Sequence, residues 1–330
     1  MVPSRNHGRR GALIARLPGP VLCICGPTAS GKSALADALA QALGTDVISV
    51  DAMQVYRGMD IGTAKTPEAD RPVPLRMVDV ADVGDDFSVA LFQSMARQLV
   101  DDRLASGKTP VLCGGTGLYL DAVIDEMEFP SGDVTSESRI RYERFAGEHG
   151  AQALWDLLRS RDEKSSEAIH PNNVRRVVRA LELADEGRSY SDRLETLHRR
   201  APHYAARIWG LRWDREALYA RIDARVDRMV ELGLVAEVQG LLSEGLRDAL
   251  TSRQAIGYKE VIDHLEGSCT LEEAVELIKR RTRRYAKRQL SWLRRDGRVR
   301  WIDMDGIGIA EARDLVLSDL RASSHPNDCQ

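Results

Sequence analysis

Short apolar runs of strand length alternate with longer amphipathic segments in the first part of the chain. The apolar residues of the longer segments recur with the period of a helix. This alternation predicts a parallel sheet with helices on its faces, which binds a ligand just beyond the carboxyl ends of its strands. The predicted strands are Val21–Cys25, Asp46–Val50, Met77–Val80 and Thr109–Cys113, and the predicted helices are Lys32–Leu43 and Val89–Ser106.

The pattern changes to an Arg- and Glu-rich helical sequence between residues 130 and 202, where no run has clear strand character. A strand-like run returns at Arg207–Leu211, so we interpret the helical stretch as an insertion into an α/β core. Residues 214–295 are then predicted to be helical throughout. A strand at Val299–Asp303 and a final helix that ends near Arg321 complete the pattern.

The expected organisation is an α/β core with an inserted helical domain and a helical C-terminal part. The core comprises residues 20–129 and 203–322, and the inserted domain comprises residues 130–202. Residues 1–19 are predicted to be a disordered leader, because Arg16 interrupts their short apolar run and no small-residue cleavage site follows. The polar residues 323–330 are predicted to be a disordered tail.

The composition is that of a soluble globular protein, with 43% hydrophobic and 29% charged residues. No apolar stretch approaches the length of a membrane span, so a membrane is not an expected partner. The five cysteines fit neither a zinc pattern nor a disulfide framework, which predicts reduced thiols in a cytoplasmic protein. The net charge of −3 says nothing about nucleic acid by itself, because the charges are unevenly distributed.

A complete phosphate-binding motif, G-x-x-x-x-G-K-[ST], lies between the first predicted strand and the first predicted helix. Its two glycines allow the backbone N–H groups to turn towards an anion, and the helix adds the positive end of its dipole. Lys32 supplies a positive charge, and the hydroxyl of Ser33 can hold Mg²⁺. The strand and helix around the motif argue against a chance match. The predicted phosphate-binding residues are Gly26, Pro27, Thr28, Ala29, Ser30, Gly31, Lys32 and Ser33.

Asp51 directly follows the strand Val47–Val50, beside the strand that enters the phosphate loop. A carboxylate in this position faces the ligand crevice of a parallel sheet. The same carboxylate could instead cap the turn that follows it. Position alone leaves both interpretations open.

The window Lys279–Gln289 carries more positive charge than any other part of the chain. At helical spacing, one side carries Arg280, Arg284, Lys287 and Arg288, while Tyr285, Trp292 and Leu293 can face the core. A solvated amphipathic helix would show the same pattern. Charge of a single sign without nearby acids favours phosphate contacts instead. A second basic group comprises Arg175, Arg176 and Arg179, and two basic surfaces suit a structured RNA.

The chain resembles the tRNA dimethylallyltransferase (tRNA isopentenyltransferase) family over about residues 20–303. The blocks that carry the resemblance are GPTASGKS, VISVDAMQVYRGMDIGTAK and VLCGGTGLYL, followed by residues 169–176, 179–182, 218–227, 255–260 and 285–289. Two departures are visible. Ala52 stands where many members carry Ser, so any hydrogen bond from that hydroxyl is absent, and the segment 251–254 matches loosely.

The resemblance implies a P-loop NTPase-like parallel sheet core and a prenyl transfer reaction. In this family, the dimethylallyl group of dimethylallyl diphosphate moves to the exocyclic amine, N6, of the adenine adjacent to the anticodon in tRNA, and diphosphate leaves. The implied cofactor is Mg²⁺, held by Ser33, and the implied partners are tRNA and dimethylallyl diphosphate. Nothing in the sequence requires more than a monomer.

The resemblance also implies roles for individual residues. Asp51 accepts a proton from the amine, Thr28 donates its hydroxyl to the bridging oxygen, and Arg225 binds the diphosphate. Without the resemblance, Thr28 could be a spacer, Thr116 a turn residue, and Arg225 an exposed partner of Asp223 or Asp227. For tRNA contact, the resemblance implies Asp51, Ala52, Met53, Gln54, Gln254, Gly257 and Lys259. The two basic groups add Arg175, Arg176, Arg179, Arg284, Lys287 and Arg288, and the position of Thr116 at the end of a predicted strand adds a contact with the adenine nucleotide.

Three other functions fit part of the sequence. An adenylate isopentenyltransferase shares the phosphate loop and the aspartate, but needs neither the helical insertion nor the basic helix. A small-molecule kinase with a phosphate loop would turn over a nucleoside triphosphate and gives no reason for the Arg-rich C-terminal half. A non-enzymatic RNA-binding module would not need Lys32, Ser33 and Asp51 together.

Overall fold

The computed structural model describes residues 20–129, 136–192 and 201–323. The predicted leader lies outside the described residues, and so does the predicted tail from residue 324 onwards. Ser323, the first residue assigned to that tail, is instead the last residue of a helix. Within the described ranges, no helix is long and apolar enough to cross a membrane.

A six-stranded sheet, parallel throughout, confirms the predicted α/β fold. Its spatial order is β3-β2-β4-β1-β5-β6, so the strand that leads into the phosphate loop lies near the middle, between β4 and β5. The loops that follow β1, β2 and β4 therefore emerge next to one another. The strands are β1 Val21–Cys25, β2 Val47–Val50, β3 Leu75–Arg76, β4 Val111–Gly114, β5 Ala206–Arg212 and β6 Val299–Asp303.

Helices make up most of the remaining described residues. They are α1 Lys32–Leu43, α2 Val89–Ala105, α3 Gly117–Ile124, α4 Glu137–Arg161, α5 Glu163–Ala168, α6 Val174–Asp185, α7 Arg215–Glu231, α8 Leu234–Leu241, α9 Tyr258–Leu265, α10 Leu271–Leu293 and α11 Ile309–Ser323. A π-helical turn, Leu242–Leu246, follows α8, and short 3₁₀ turns lie at Glu68–Asp70 and Ser252–Gln254. Helix α4 is kinked at Gly150, whose φ is 86°.

The chain divides into two compact units. Among the described residues, those up to Ile124 and from His203 onwards form the first, which contains the sheet, and those between Asp125 and Pro202 form the second. The described part of the second unit is helical and packs α4 and α6 around a core of its own. That core includes Tyr142, Leu154, Leu158, Val177 and Leu181.

Both faces of the sheet are covered, which explains why its strands read as continuous apolar runs. Alternate residues of β1 point to opposite faces. Cys23 lies in the cluster that contains Phe92 of α2 and Val123 of α3. Ile24 lies in the cluster formed with α1 and α11. The central strands are thus buried, and only the loops at their ends are available to a ligand.

The third strand was placed wrongly. The predicted run Met77–Val80 is not a strand, and the strand is the shorter Leu75–Arg76. The reason is backbone conformation, because Met77 and Asp79 have φ values of 62° and 55°, in the left-handed region that no strand tolerates. The apolar side chains of Met77 and Val80 pack against the core, although the backbone there forms no strand.

The prediction of continuous helix over residues 214–295 was also wrong. Gly233, with φ of 100°, separates α7 from α8, and Gly245, with φ of 103°, lies within the π-helical turn. Gly257 and Gly267, with φ of 99° and 77°, flank α9 on either side. Glycine adopts such angles without steric penalty, so these four positions let the chain change direction. The resulting helices α7, α8, α9 and α10 pack against one another instead of forming a single rod.

Candidate active site

The phosphate loop joins β1 to α1 and is curled by its own backbone. Ala29 and Gly31 have positive φ values of 64° and 92°. The amide of Ser30 donates to the carbonyl of Pro27 at 3.2 Å, and the ammonium of Lys32 reaches the same carbonyl at 3.3 Å. The first amides of α1 have no intrahelical acceptor, so the loop and helix together present N–H groups at one place.

Side chains from distant parts of the chain bind the loop backbone. The indole of Trp213 donates to the carbonyl of Ser30 at 2.9 Å, and Nε of Arg221 donates to the carbonyl of Ala29 at 2.9 Å. The amide of Thr28 donates to Oε1 of Gln289, also at 2.9 Å. Because the two carbonyls are bound by these side chains, the neighbouring amides remain available to an anion.

The environment of Arg225 is the strongest indication that an anion binds beside the phosphate loop. Its Nε is buried and has no hydrogen-bond partner among the described residues, and one terminal nitrogen makes only a long contact, 3.5 Å, with the carbonyl of Thr63. Burial lowers the pKa of Arg225, and the negative charge of Asp51 opposes that shift. A buried guanidinium with unused donors is costly unless it meets an anion.

The alternative interpretation of Arg225, an exposed ion pair on its own helix, is excluded. Asp223 is paired with Arg283, and Asp227 is paired with Lys279. Burial also lowers the pKa of Lys32, and the nearby charge of Arg225 acts in the same direction. Two cations are therefore kept close together, as expected for a site that holds a multiply charged ligand.

Asp51 fulfils both interpretations that the sequence left open. Its Oδ1 accepts hydrogen bonds from the amides of Met53 at 2.8 Å and Gln54 at 3.4 Å, which caps the turn after β2. Its Oδ2 has no hydrogen-bond partner within the described ranges, and the side chain lines the cavity described below. One oxygen thus fixes the carboxylate while the other can accept a proton.

A cavity of about 410 Å³ lies at the carboxyl ends of the strands and brings many of the predicted residues together. The predicted site residues that line it are Thr28, Lys32, Ser33, Asp51, Ala52, Met53, Gln54, Thr116, Arg225, Gln254 and Arg288. The amide of Ala52 reaches Oγ1 of Thr116 at 3.4 Å. Thr116 is therefore more than a turn residue among glycines, since it joins the loops that follow β2 and β4.

One part of the cavity is apolar, which the sequence did not predict. Val226, the residue after Arg225, and Met229, about one turn further along α7, line this part, and Ile278 of α10 lies in the same apolar cluster. Met53 and Ile256 pack against this cluster. The cavity can therefore accept a short hydrocarbon group beside its charged end.

The segment from Asp51 to Lys65 is held by polar side chains. Ser49 donates to Oε1 of Gln54 at 2.8 Å, and the amide nitrogen of Gln54 donates to the carbonyl of Thr63 at 3.2 Å. The ammonium of Lys65 binds the carbonyl of Tyr56 and the carboxylates of Asp60 and Asp79. Gln54, predicted to contact tRNA, therefore also fixes the wall of the cavity.

Glu237 of α8 is a site-supporting residue that sequence reasoning missed. Its carboxylate accepts the consecutive amides of Asp60, Ile61 and Gly62 at 3.1, 2.7 and 3.2 Å, and the hydroxyl of Tyr258 at 2.5 Å. A side chain on Gly62 would overlap the Tyr258 ring, so glycine is needed there. No local signal could have revealed this contact, because Gly62 and Glu237 are 175 residues apart in the chain.

The prediction for the basic helix α10 had two parts, namely that four cations share one side and that no acids lie nearby. Arg280, Arg284, Lys287 and Arg288 are exposed, and none has an ion-pair partner in the part of the chain that the structure describes. However, the expectation that acids are absent nearby was wrong. Lys279 is paired with Asp227, Arg283 with Asp223, and Arg281 with Glu260.

The apolar side of α10 reaches further into the site than expected. Tyr285 lines the cavity, where burial and the charge of Asp51 raise its pKa to about 12, opposed by hydrogen bonds with Thr116 and Gln289. The indole of Trp292 donates to Asp121 at 2.9 Å, while Leu293 is buried as predicted.

The remaining predicted contacts divide between exposed and structural positions. In the second unit, Arg175 and Arg176 are exposed at the start of α6. Arg179 is paired with the buried carboxylate of Glu182 at 3.1 Å, and its side chain is only 19% exposed. Arg179 is thus paired within the protein, and its contact with a tRNA phosphate stays a prediction. In the first unit, Gln254 is exposed, whereas Lys259 is half-buried and the buried Gly257 begins α9.

Comparison with known proteins gives consistent matches along almost the whole chain. A family model described as IPP transferase matches residues 54–296, and one described as isopentenyl transferase matches residues 19–71. The tRNA dimethylallyltransferase of Carboxydothermus hydrogenoformans is 42% identical over 301 residues, covering 91% of this chain and 96% of the relative. That of Halalkalibacterium halodurans is 46% identical over 312 residues, covering 92% and 98%.

Solved structures agree with these relatives. The tRNA isopentenylpyrophosphate transferase of Bacillus halodurans is 44% identical and matches with a TM-score of 0.67, covering 92% of this chain and 98% of that one. A eukaryotic dimethylallyltransferase, captured acting on tRNA, is 26% identical and matches with a TM-score of 0.77. That match covers 94% of this chain and 81% of the eukaryotic chain.

We expect Glu237→Gln to lower the free energy of unfolding by about 1–3 kcal/mol, because the amide group cannot serve all four donors that the carboxylate accepts. Urea unfolding followed by circular dichroism measures the change. Glu231→Gln, an exposed position at the end of α7, is the matched control and should change stability by less than about 0.5 kcal/mol. Equal stability of the two variants would contradict the role assigned to Glu237.

Proposed function

This chain belongs to the IPP transferase family and is a transferase that places a prenyl group on tRNA, and we propose how its site performs that reaction. The proposed donor is dimethylallyl diphosphate, and the proposed acceptor is N6 of the adenine adjacent to the anticodon. Diphosphate is the second product. The observation that carries the proposal is a single cavity with unpaired cationic donors at one end and the carboxylate of Asp51 in its wall.

The phosphate loop holds the diphosphate in this proposal. The bond that breaks joins carbon to oxygen, so negative charge grows on the bridging oxygen as the leaving group departs. The loop amides, the ammonium of Lys32 and the guanidinium of Arg225 stabilise that charge because they are fixed before the reaction starts. The hydroxyl of Thr28, which lines the same cavity, donates to the bridging oxygen.

Asp51 activates the acceptor. The exocyclic amine of adenine is a weak nucleophile, because its lone pair is delocalised into the ring. The Oδ2 atom of Asp51 accepts an N–H of the amine and takes its proton as the new carbon–nitrogen bond forms. The cap made by Oδ1 keeps the carboxylate oriented towards the cavity.

The apolar part of the cavity suits the dimethylallyl group. Val226, Met229 and Ile278 offer hydrocarbon surface near Arg225, so a molecule with a charged head and a short apolar tail can satisfy both regions. Excluding water there also protects the electron-deficient carbon from hydrolysis. A phosphorylated sugar or nucleoside would leave the apolar wall without a matching group.

The residues present also fit Mg²⁺. This ion is commonly held by few protein oxygens together with phosphate oxygens and water. The hydroxyl of Ser33 follows Lys32 at the start of α1 and lines the cavity, which provides such an oxygen. When bound, the ion would neutralise part of the diphosphate charge.

We propose that the exposed face of α10 binds tRNA phosphates, together with Arg175 and Arg176 in the second unit. The four exposed cations of α10 have no competing carboxylate partner among the described residues, so they remain available to an RNA backbone. Arg288 also lines the cavity and lies 5.5 Å from the ring of Tyr285, so this face extends to the site of the reaction. A cytoplasmic monomer fits this function.

One incubation tests the proposed function against its alternatives. Unmodified tRNA is mixed with the protein, Mg²⁺ and dimethylallyl diphosphate, and the digested nucleosides are analysed by mass spectrometry. The expected product is an adenosine that has gained one dimethylallyl group next to the anticodon. Prenylation of free adenylate instead would indicate an adenylate isopentenyltransferase, and turnover of a nucleoside triphosphate alone would indicate a kinase.

We expect Arg225→Met to weaken the binding of magnesium pyrophosphate by about tenfold or more, because it removes a buried charge while keeping most of the volume of the side chain. Isothermal titration calorimetry measures the affinity. Arg228→Met, an exposed position on the same helix, is the control and should bind as the wild type does. Unchanged affinity in Arg225→Met would remove this residue from the diphosphate site.

Asp51→Asn should lower the single-turnover rate by about 10²–10⁴-fold, because the amide cannot accept the proton from the amine. The affinities for tRNA and pyrophosphate should change much less, since the side chain keeps its size. Rapid-quench measurement at saturating substrates isolates this step. A variant that loses tRNA binding but keeps its single-turnover rate would show that Asp51 only positions the RNA.

The double variant Arg284→Glu with Lys287→Glu should weaken tRNA binding and reduce its dependence on salt. Each lost phosphate contact lowers the slope of log affinity against log salt by about one unit. Filter binding at several salt concentrations gives that slope, and calorimetry with pyrophosphate serves as the control that should not change. Identical slopes and affinities for variant and wild type would mean that this face of α10 is merely solvated.

A further inference from the structure

Gln289 of α10 joins two loops of the active site with one side chain. Its Oε1 accepts the amide of Thr28 at 2.9 Å, and its Nε2 donates to the carbonyl of Gly115 at 3.0 Å. The residue is buried, with 5% of its surface exposed. Both polar ends of the amide group are therefore committed to the backbone of loops that follow β1 and β4.

The side-chain amide of Gln289 is tightly packed between the two loops. A side chain on Gly115 would overlap the amide group of Gln289, and its Cβ would lie only 2.9 Å from the carbonyl of Gly26. The backbone of Gly115 is thus in close contact with both Gln289 and the phosphate loop, with no room for a side chain. A shift of α10 would displace the Thr28 amide directly, because no flexible linker lies between them.

The same helix carries the surface that we propose to bind tRNA. Lys287 and Arg288, the two residues before Gln289, are exposed, whereas Tyr285, one turn earlier, lines the cavity and hydrogen-bonds Thr116. Helix α10 therefore presents cations to solvent on one side. On its other side it sets the backbone of the phosphate loop.

We propose that Gln289 is a positioning residue for the prenyl transfer. It holds the backbone of Thr28 so that the Thr28 hydroxyl faces the bridging oxygen of the donor. It does so from the helix that binds the RNA. This inference rests on the proposed function, because the bridging oxygen belongs to the proposed donor.

The test is a double-mutant cycle between Gln289 and Thr28. Gln289→Met keeps the length and most of the volume of the side chain but removes the hydrogen bonds to Thr28 and Gly115, together with the one to Tyr285. Thr28→Val removes the hydroxyl and keeps the shape. We expect Gln289→Met to lower kcat by about tenfold or more in the wild-type background, since small displacements of catalytic groups are costly, and by less than about twofold in the Thr28→Val background.

Three further measurements separate positioning from a merely structural role. The affinity of Gln289→Met for tRNA should stay within about twofold of the wild type, so the defect should appear in kcat rather than in KM for tRNA. Gln239→Met, at an exposed position on α8, is the matched control and should keep the wild-type kcat. Thermal unfolding of every variant reports whether each one is folded at the assay temperature.

Two results would overturn the inference while leaving the proposed function intact. One is an equal loss of kcat on Gln289→Met in the wild-type and Thr28→Val backgrounds, which would show that Gln289 acts independently of the hydroxyl. The other is an unchanged kcat with a lower unfolding temperature, which would make Gln289 purely structural. A wild-type protein that prenylates no tRNA would instead overturn the proposed function, and the inference with it.

Discussion

Hydrogen bonds from distant side chains to the backbone of the phosphate loop are the interactions on which the rest of the site depends. Trp213 and Arg221 bind loop carbonyls from positions 183 and 192 residues further along the chain, and Gln289 binds a loop amide from 261 residues away. The loop exposes its other amides because these contacts hold its carbonyls. The anion site is therefore a property of the assembled first unit.

Two cationic side chains, Lys32 and Arg225, line the cavity close to each other. Arg225 lies close enough to Lys32 to lower the pKa of Lys32, and the buried Nε of Arg225 has no acceptor among the described residues. Such an arrangement destabilises the protein without its ligand and becomes favourable when a diphosphate arrives. Structural ion pairs elsewhere in the chain, such as Arg179 with Glu182, are matched within the protein and need no ligand.

The part of the cavity wall that includes Gly62 and Thr63 is fixed by a different interaction. The carboxylate of Glu237 gathers three consecutive amides, and the loop that it holds offers the carbonyl of Thr63 to both Gln54 and Arg225. The carboxylate of Glu237, which does not line the cavity, thus fixes the loop that contacts the guanidinium of Arg225. Helices α7 and α10 can both line the cavity because glycines break the long helical sequence between them.

The sequence by itself determined the features that depend only on neighbouring residues in the chain. The phosphate loop, the carboxylate after β2, the parallel sheet and the exposed cations of α10 could be predicted, because each follows from residue type and spacing within one element. The position of the edge strand β3 could not, since positive φ angles at Met77 and Asp79 end the extended backbone regardless of residue type. The tertiary structure alone decided that Glu237 and Gln289 support the site, that Arg179 pairs with Glu182 and that the Nε of Arg225 is buried. These four outcomes depend on how the elements pack, because the free energy of a polar side chain is set by the groups that surround it after folding.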